Sequence, residues 1–130
     1  MKVEFIFKIE PVAKGRPKIS ARGGFARAYT PIKTRNFEQE LAILAKNQFN
    51  GVLIDYPIGI DIKFFLNRPK SISEKKRPLP SVKPDLDNYI KCIDALNGII
   101  WVDDSLICKI EASKQYSSSE GFIVLNIKPM

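Results

Sequence analysis

The chain has 130 residues, 45% hydrophobic and 27% charged, a composition typical of one globular domain with a single core. It has no histidine, which excludes a Ser-His-Asp triad and a histidine-ligated zinc site. It has neither a signal-peptide pattern nor an apolar run near the ~20 residues of a membrane span, so we expect a cytoplasmic protein, not membrane-bound, with both cysteines reduced in its core. Lys and Arg outnumber Asp and Glu by 21 to 14, a formal net charge of +7 that fits either a nucleic-acid partner or a basic surface kept for solubility.

The N-terminal segment Lys2–Glu10 alternates between hydrophobic and polar residues, which predicts a β-strand. Residues 11–34 are rich in glycine and proline and predict a long loop, with a short extended piece over Gly24–Tyr29. From Pro11 to Phe37 the chain has no acidic residue but seven basic ones: Lys14, Arg16, Lys18, Arg22, Arg27, Lys33 and Arg35. A long loop of this charge favours a polyanionic partner.

The spacing of apolar residues changes twice in the middle of the chain. Thr34–Asn50 carries apolar residues at helical spacing, which predicts an α-helix with Thr34 as its N-cap. Pro57–Leu66 alternates again and predicts a strand. Asn67–Pro84 contains four prolines and predicts a polar loop. This loop is the second basic stretch, with Arg68, Lys70, Lys75, Lys76, Arg77 and Lys83.

The C-terminal part begins with a second predicted helix, from residue 85 or 86 to Asn97-Gly98, a pair typical of a helix end. A short strand is predicted over Ile99–Val102. The last two predicted strands, Leu106–Tyr116 and Phe122–Lys128, are expected to form a hairpin.

The predicted element order is therefore β-α-β-α-β-β-β. It favours an α+β fold, in which two helices pack on one face of a small mixed sheet. No repeat or linker divides the chain, so residues 1–130 are expected to form a single domain.

The sign of the charge reverses between Asp85 and Asp104, where five aspartates accompany a single lysine, Lys91. Asp85 follows a proline, so it could simply be a helix N-cap. Asp87, Lys91 and Asp94 fall on one stripe of the predicted helix, a spacing that also suits an exposed ion pair.

Asp104 connects this stripe to a possible site. If the strand after the helix runs back antiparallel to it, Asp104 arrives level with Asp85 and Asp87. Clustered carboxylates need a cation, and oxygen ligands favour Mg²⁺ or Mn²⁺. With basic loops nearby, the pattern indicates metal-assisted phosphodiester hydrolysis, in which a lysine stabilises developing negative charge. Solvated surface acids remain the alternative.

The segment KPDLDNYIKCIDALNGIIWVDDS, residues 83–105, resembles the RusA-like Holliday junction resolvases, crossover junction endodeoxyribonucleases common in phages and prophages. The family pattern is Lys/Arg-x-Asp-x-Asp-Asn, a lysine, Asp-Ala-Leu-Asn-Gly and then Asp-Asp. The segments KGRPK at 14–18 and YTP at 29–31 resemble the N-terminal motif of that family. The connection between Asp94 and the Asp-Asp pair is short in this chain.

The resemblance implies a small α+β homodimer that binds four-way junction DNA and resolves it by paired, symmetric Mg²⁺-dependent nicks in recombination and repair, with Mn²⁺ as a possible substitute. By position, Asp85, Asp87 and Asp104 are the implied metal ligands and Lys91 the catalytic lysine. Asp103 is a less certain neighbour, and Asp94 is expected to be structural or to act behind the ligands. The implied DNA contacts are Lys14, Arg16, Lys18, Lys75, Lys76 and Arg77.

Two other functions remain open at this point. One is a noncatalytic basic module that binds nucleic acid and could lose its aspartates without harm. The other is a nuclease of relaxed specificity that acts on flaps or forks.

Overall fold

The hydrophobic alternation of the strands builds one four-stranded sheet in the computed structural model, which describes residues 3–15, 18–20, 24 and 27–130. Its strands are β1 (Val3–Phe7), β4 (Ile58–Leu66), β5 (Ile107–Tyr116) and β6 (Phe122–Pro129). They lie in the order β1-β6-β4-β5. The β4–β5 pair is parallel, whereas β6 is antiparallel to both β1 and β4. The mixed sheet that the sequence predicts is therefore confirmed.

One face of this sheet forms the core. Alternate residues of the strands are buried there, as the period of two requires: Phe5, Phe7, Ile58, Ile60, Ile62, Phe64, Ile123, Leu125 and Ile127. The opposite face carries polar and charged side chains such as Glu4, Asp61 and Lys63, which line a shallow depression.

Two helical segments cover the buried face. Helix α1 spans Ile32–Gln48. Helix α2 spans Leu86–Ile90 and continues as a 3₁₀-helix over Lys91–Leu96. The predicted α+β class, with helices on one face of the sheet, is confirmed. In the described residues, no helix has the length and apolar character that crossing a membrane would demand.

The start of α1 differs from the prediction. Its N-cap is Pro31, and Thr34 lies buried within the first turn. The carbonyl of Pro31 accepts the first helical hydrogen bond, from Arg35 N at 3.0 Å. Thr34 has another role, because its Oγ1 accepts from Gly15 N at 3.5 Å and so ties the basic loop to the helix.

That loop contains a small two-stranded antiparallel sheet of β2 (Lys18–Ser20) and β3 (Arg27–Tyr29). The predicted extended piece is confirmed where it overlaps β3, whereas β2 was not expected. Glycine and proline surround both strands in the sequence and conceal their short alternation.

The predicted strand over Ile99–Val102 is wrong. Gly98–Ile100 form a turn, and Trp101 makes only isolated bridges, to Ile54 and Asn97. Ile100 and Trp101 are nevertheless fully buried. Their hydrophobicity, which suggested a strand, reflects core packing by a turn.

Gly98 closes this turn with φ +76°, and a Cβ there would meet no atom within 4 Å. Gly98→Ala is expected to lower the free energy of unfolding by about 1–2 kcal/mol, purely through the left-handed backbone. Thermal unfolding of this variant beside Gly51→Ala, at a glycine without positive φ, checks the expectation. Equal melting temperatures for the two variants would contradict it.

The predicted C-terminal hairpin is also wrong, although both strands exist. β5 and β6 do not pair with each other, because β4 lies between them. β4 is buried at alternate positions along nearly its whole length, and it is hydrogen-bonded on both of its edges. The connection after β5 instead crosses the end of β4, where Ser117 N donates to Leu66 O at 2.8 Å.

The two cysteines are both free, but only Cys92 is a core residue. Burial raises the pKa of its thiol to about 12, which makes it a poor nucleophile at neutral pH. Cys108 is exposed on β5, and the expectation that it lies in the core is wrong.

Candidate active site

An open cavity of about 800 Å³ lies where α2 begins, against the start of the basic loop. Its charged lining residues come from two segments that are remote in sequence, the basic loop and residues 83–94: Lys14, Lys83, Asp85, Asp87, Lys91 and Asp94. The structure therefore brings together Asp85, Asp87 and Lys91, as the sequence predicts. It adds Asp94, which was expected to lie behind the site.

Asp85 occupies the N-cap position of α2, with φ −69° and ψ 150°. Its side chain makes no capping hydrogen bond. Both carboxylate oxygens lie 3.1 Å from Lys83 Nζ, and the side chain is 54% exposed. Helix capping, the simplest structural explanation of Asp85, does not account for the orientation of this carboxylate.

Lys91 stands where α2 changes into the 3₁₀-helix. Its ammonium donates to Asn88 Oδ1 at 3.0 Å. In a 3₁₀-helix, residues three apart lie on the same side, so Asp94 follows Lys91 towards the cavity. The predicted helix already places Asp87, Lys91 and Asp94 on one stripe, and the 3₁₀ turns keep them on one side.

Lys14 enters the cavity from the basic loop. Its Nζ lies 3.6 Å from Asp94 Oδ2 and 3.8 Å from Glu38 Oε2. Its backbone N–H donates to Asn88 O at 2.9 Å, which fixes the loop against α2. The ammonium thus offsets acidic charge inside the cavity, while its predicted contact with DNA stays a prediction.

Asp104 contacts Asp94, in the 3₁₀ continuation of α2. Their carboxyl groups lie within hydrogen-bonding reach, and this contact is the main reason why the pKa of Asp104 is raised above its usual value. The Asn97 side chain opposes the rise by hydrogen bonding to Asp104. Since no strand follows the helix, the predicted route that carries Asp104 to Asp85 and Asp87 is wrong.

Asn97, predicted as part of the helix end, links the core to this carboxyl pair. Its Oδ1 accepts from Nε1 of the buried Trp101 at 2.7 Å. The amide that faces Asp104 is thereby held by a side chain that cannot move without disturbing the core. The sequence signal that could have identified Asn97 is a polar residue at a position of the predicted helix where core residues are expected.

Asp103 has a local structural role. Its carboxylate accepts from Ser105 N at 3.0 Å and caps the short 3₁₀ turn Asp104–Leu106. Hydrogen bonds from Ser105 keep the pKa of Asp103 below its usual value. The cap explains why an aspartate stands at this position, while its neighbour Asp104 turns towards Asp94.

The second basic loop is held in shape by Arg68. The guanidinium stacks 4.1 Å from the centroid of the Tyr116 ring and donates to the carbonyl groups of Ser73, Arg77 and Pro78. The turn that it holds presents two of the predicted DNA contacts, Lys75 and Lys76, as exposed side chains, and Arg77 as a half-buried one.

Two predicted DNA contacts in the first basic loop stay predictions. Arg16 lies outside the described residues, and for Lys18 the structure describes the backbone of β2.

The chemistry of the cavity fits an oxygen-loving cation. Its potential ligands are carboxylates, the type that Mg²⁺ and Mn²⁺ prefer, and Asp94 with Asp104 forms a close pair that a divalent cation would relieve. Within the described part of the chain, however, no group of three or more acidic or cysteine side chains is arranged to hold a metal ion. The predicted trio of Asp85, Asp87 and Asp104 is thus not assembled as one group here.

Comparisons with known proteins agree with the sequence motifs. The family model described as endodeoxyribonuclease RusA matches residues 8–128. The chain is 37% identical over 125 residues to the uncharacterized protein YqaN of Bacillus subtilis, covering 88% of both chains. It is 26% identical over 130 residues to the crossover junction endodeoxyribonuclease RusA of Aquifex aeolicus, covering 98% of this chain and 91% of that protein.

Proposed function

This chain belongs to the RusA endodeoxyribonuclease family, and from that premise we propose that it resolves four-way DNA junctions by paired, symmetric, Mg²⁺-dependent nicks in recombination and repair. The supporting observation is the cavity that joins Asp85, Asp87 and Lys91 beside a basic loop. Acidic residues alone would repel DNA, and basic residues alone would only bind it. Their combination in one open cavity suits phosphodiester hydrolysis.

Each predicted site residue has a proposed role, including Asp104, which does not line the cavity and is linked to it through its contact with Asp94. Asp85, Asp87 and Asp104 would hold Mg²⁺, which supplies an activated water and neutralises phosphate charge when bound. Lys91, held by Asn88, would stabilise negative charge on the scissile phosphate. Lys14, Arg16, Lys18, Lys75, Lys76 and Arg77 would grip the flanking phosphates.

A single assay tests the function. A synthetic four-way junction is incubated with the protein, with Mg²⁺ or with a chelator, beside a linear duplex of the same sequence. Paired nicks in the junction with Mg²⁺ alone are expected, and Mn²⁺ should substitute. Tight binding without any cleavage would favour the noncatalytic binding module. Flaps or forks that compete equally as substrates would favour the relaxed nuclease.

Junction binding is expected to weaken steeply with salt, because each bound phosphate releases counterions. Replacing both Arg16 and Lys18 with glutamine should flatten this dependence, by about 0.9 in the logarithmic slope for each phosphate that the variant no longer neutralises. Fluorescence anisotropy at several salt concentrations measures it. The same pair of changes at Lys109 and Lys128, on the outer sheet face, is the control. An unchanged slope would place the first basic loop outside the interface.

A homodimer is the expected assembly. A four-way junction has approximate two-fold symmetry and needs two nicks, whereas each chain has one acidic cavity of this kind among its described residues. Sedimentation at micromolar concentration should give about twice the chain mass of 14.7 kDa. A monomer that still makes paired nicks in one binding event would contradict this.

A further inference from the structure

The backbone immediately before Asp85 is held by a side chain from the edge of the sheet. Lys114 Nζ donates to Val82 O and to Pro84 O, each at 2.8 Å. Lys114 lies on β5 opposite Phe64 of β4, on the face of the sheet that the helices cover. The Pro84 carbonyl belongs to the peptide group that joins Pro84 to Asp85. The contact with Lys114 therefore fixes this peptide plane and, through it, the direction of the Asp85 side chain.

No other hydrogen bond of the described residues engages the backbone of Val82, Lys83 or Pro84. Lys114 also has no carboxylate within 4.0 Å in the described part of the chain. Its ammonium is thus devoted to two carbonyl groups, and charge-assisted hydrogen bonds of this kind are shorter and stronger than neutral ones.

Asp85 depends on this support because it has little of its own. Its carboxylate does not cap α2, and its ion-pair partner, Lys83, is 85% exposed. A long exposed lysine holds a carboxylate weakly. The direction of the Asp85 side chain is therefore set mainly by the backbone that Lys114 holds.

We propose that Lys114 is a positioning residue for Asp85, acting through the Val82 and Pro84 carbonyl groups and without touching DNA. The inference relies on the proposed function only where cleavage is the readout. It differs from a general anchoring role, which would affect stability, and from a phosphate contact, which would affect affinity.

The test uses three variants. Lys114→Met keeps the aliphatic length and removes all donors, and Lys114→Arg keeps the charge and the donors. Lys109→Met is the matched control, because Lys109 lies on the same strand, loses the same charge, points to the outer face and pairs with Glu111 at 3.5 Å. Junction cleavage is measured as kcat and KM, and amide hydrogen exchange is followed over residues 81–90 and over β4.

Lys114→Met should lower kcat by about 10- to 100-fold, since a misplacement near 1 Å costs up to about 10²-fold, with KM changed less than about threefold. Lys114→Arg should recover most of the loss, and Lys109→Met should behave as the wild type. Exchange over residues 81–90 should accelerate in Lys114→Met alone, with β4 unchanged.

Three results would overturn the proposal. These are an unchanged kcat, a rise in KM with kcat intact, which would make Lys114 a phosphate contact, and faster exchange throughout β4, which would make it a general stability residue. If the wild-type protein cleaves no branched DNA, the proposed function fails, and the exchange comparison still decides whether Lys114 fixes this segment.

Discussion

Asp85→Asn, Asp87→Asn and Asp104→Asn are each expected to abolish junction cleavage and to preserve junction binding. Asparagine keeps the size of the side chain but loses the negative charge that holds a divalent cation. The basic loops remain, so phosphates are still bound, and the loss of a negative charge near DNA should, if anything, tighten the complex. Cleavage rates and dissociation constants for a four-way junction, measured in parallel, separate the two effects.

Asp61→Asn provides the control, because Asp61 lies on the outer face of the sheet beside Asn126. This variant should cleave the junction at the wild-type rate. Asp94→Asn is an informative further variant, because the carboxyl group of Asp94 contacts Asp104 and Lys14. A loss as deep as that of Asp104→Asn would add Asp94 to the ligands. Cleavage at the wild-type rate by any of the three main variants would remove that residue from the set.

Lys91→Ala is expected to lower the cleavage rate by about 10²–10³-fold, the usual cost of removing a well-placed group that stabilises developing charge. Its ammonium is oriented by Asn88 and lies one helical turn from Asp87. Junction affinity should change far less, because one phosphate contact among many contributes little to it. Single-turnover cleavage at saturating protein isolates the chemical step from binding.

Lys46→Ala serves as the reference for the loss of one positive charge, since Lys46 is exposed in the last turn of α1 and lines no part of the cavity. A Lys91→Ala variant that loses affinity and keeps its single-turnover rate would make Lys91 an ordinary phosphate clamp.

Local patterns predicted the elements of this fold well, but not their neighbours. β4 and β6 were placed within one or two residues because strict alternation reports burial directly. Which strands pair is a property of the whole sheet, and short separation in sequence wrongly suggested that β5 and β6 form a hairpin. The strand over Ile99–Val102 was wrongly predicted for a related reason. Ile100 and Trp101 are as hydrophobic as strand residues, but they pack into the core from a turn.

The arrangement of the candidate site was likewise predicted correctly only where its residues are close in sequence. Asp85, Asp87 and Lys91 are neighbours on one helical segment, so their spacing alone brought them together. The position of Asp104 depends on the path of the chain after Asn97, and the strand assumed there does not form. The change from α- to 3₁₀-helix at Lys91 leaves no clear sequence signal, whereas the helical stripe already grouped Asp94 with Asp87 and Lys91, and Asp94 lines the cavity.

The parallel pairing of β4 with β5 has a consequence for the way this protein is built. Parallel neighbours cannot be joined by a tight turn, so the chain must leave the sheet for a long excursion between them. Here that excursion, residues 67–106, contains the aspartates and Lys91 of the candidate site. Scaffold and chemistry are thereby largely separate: the sheet fixes the two ends of the excursion and, through Lys114 of β5, the segment at Val82 and Pro84. Substitutions elsewhere in the excursion can change the reaction while the strand order stays the same.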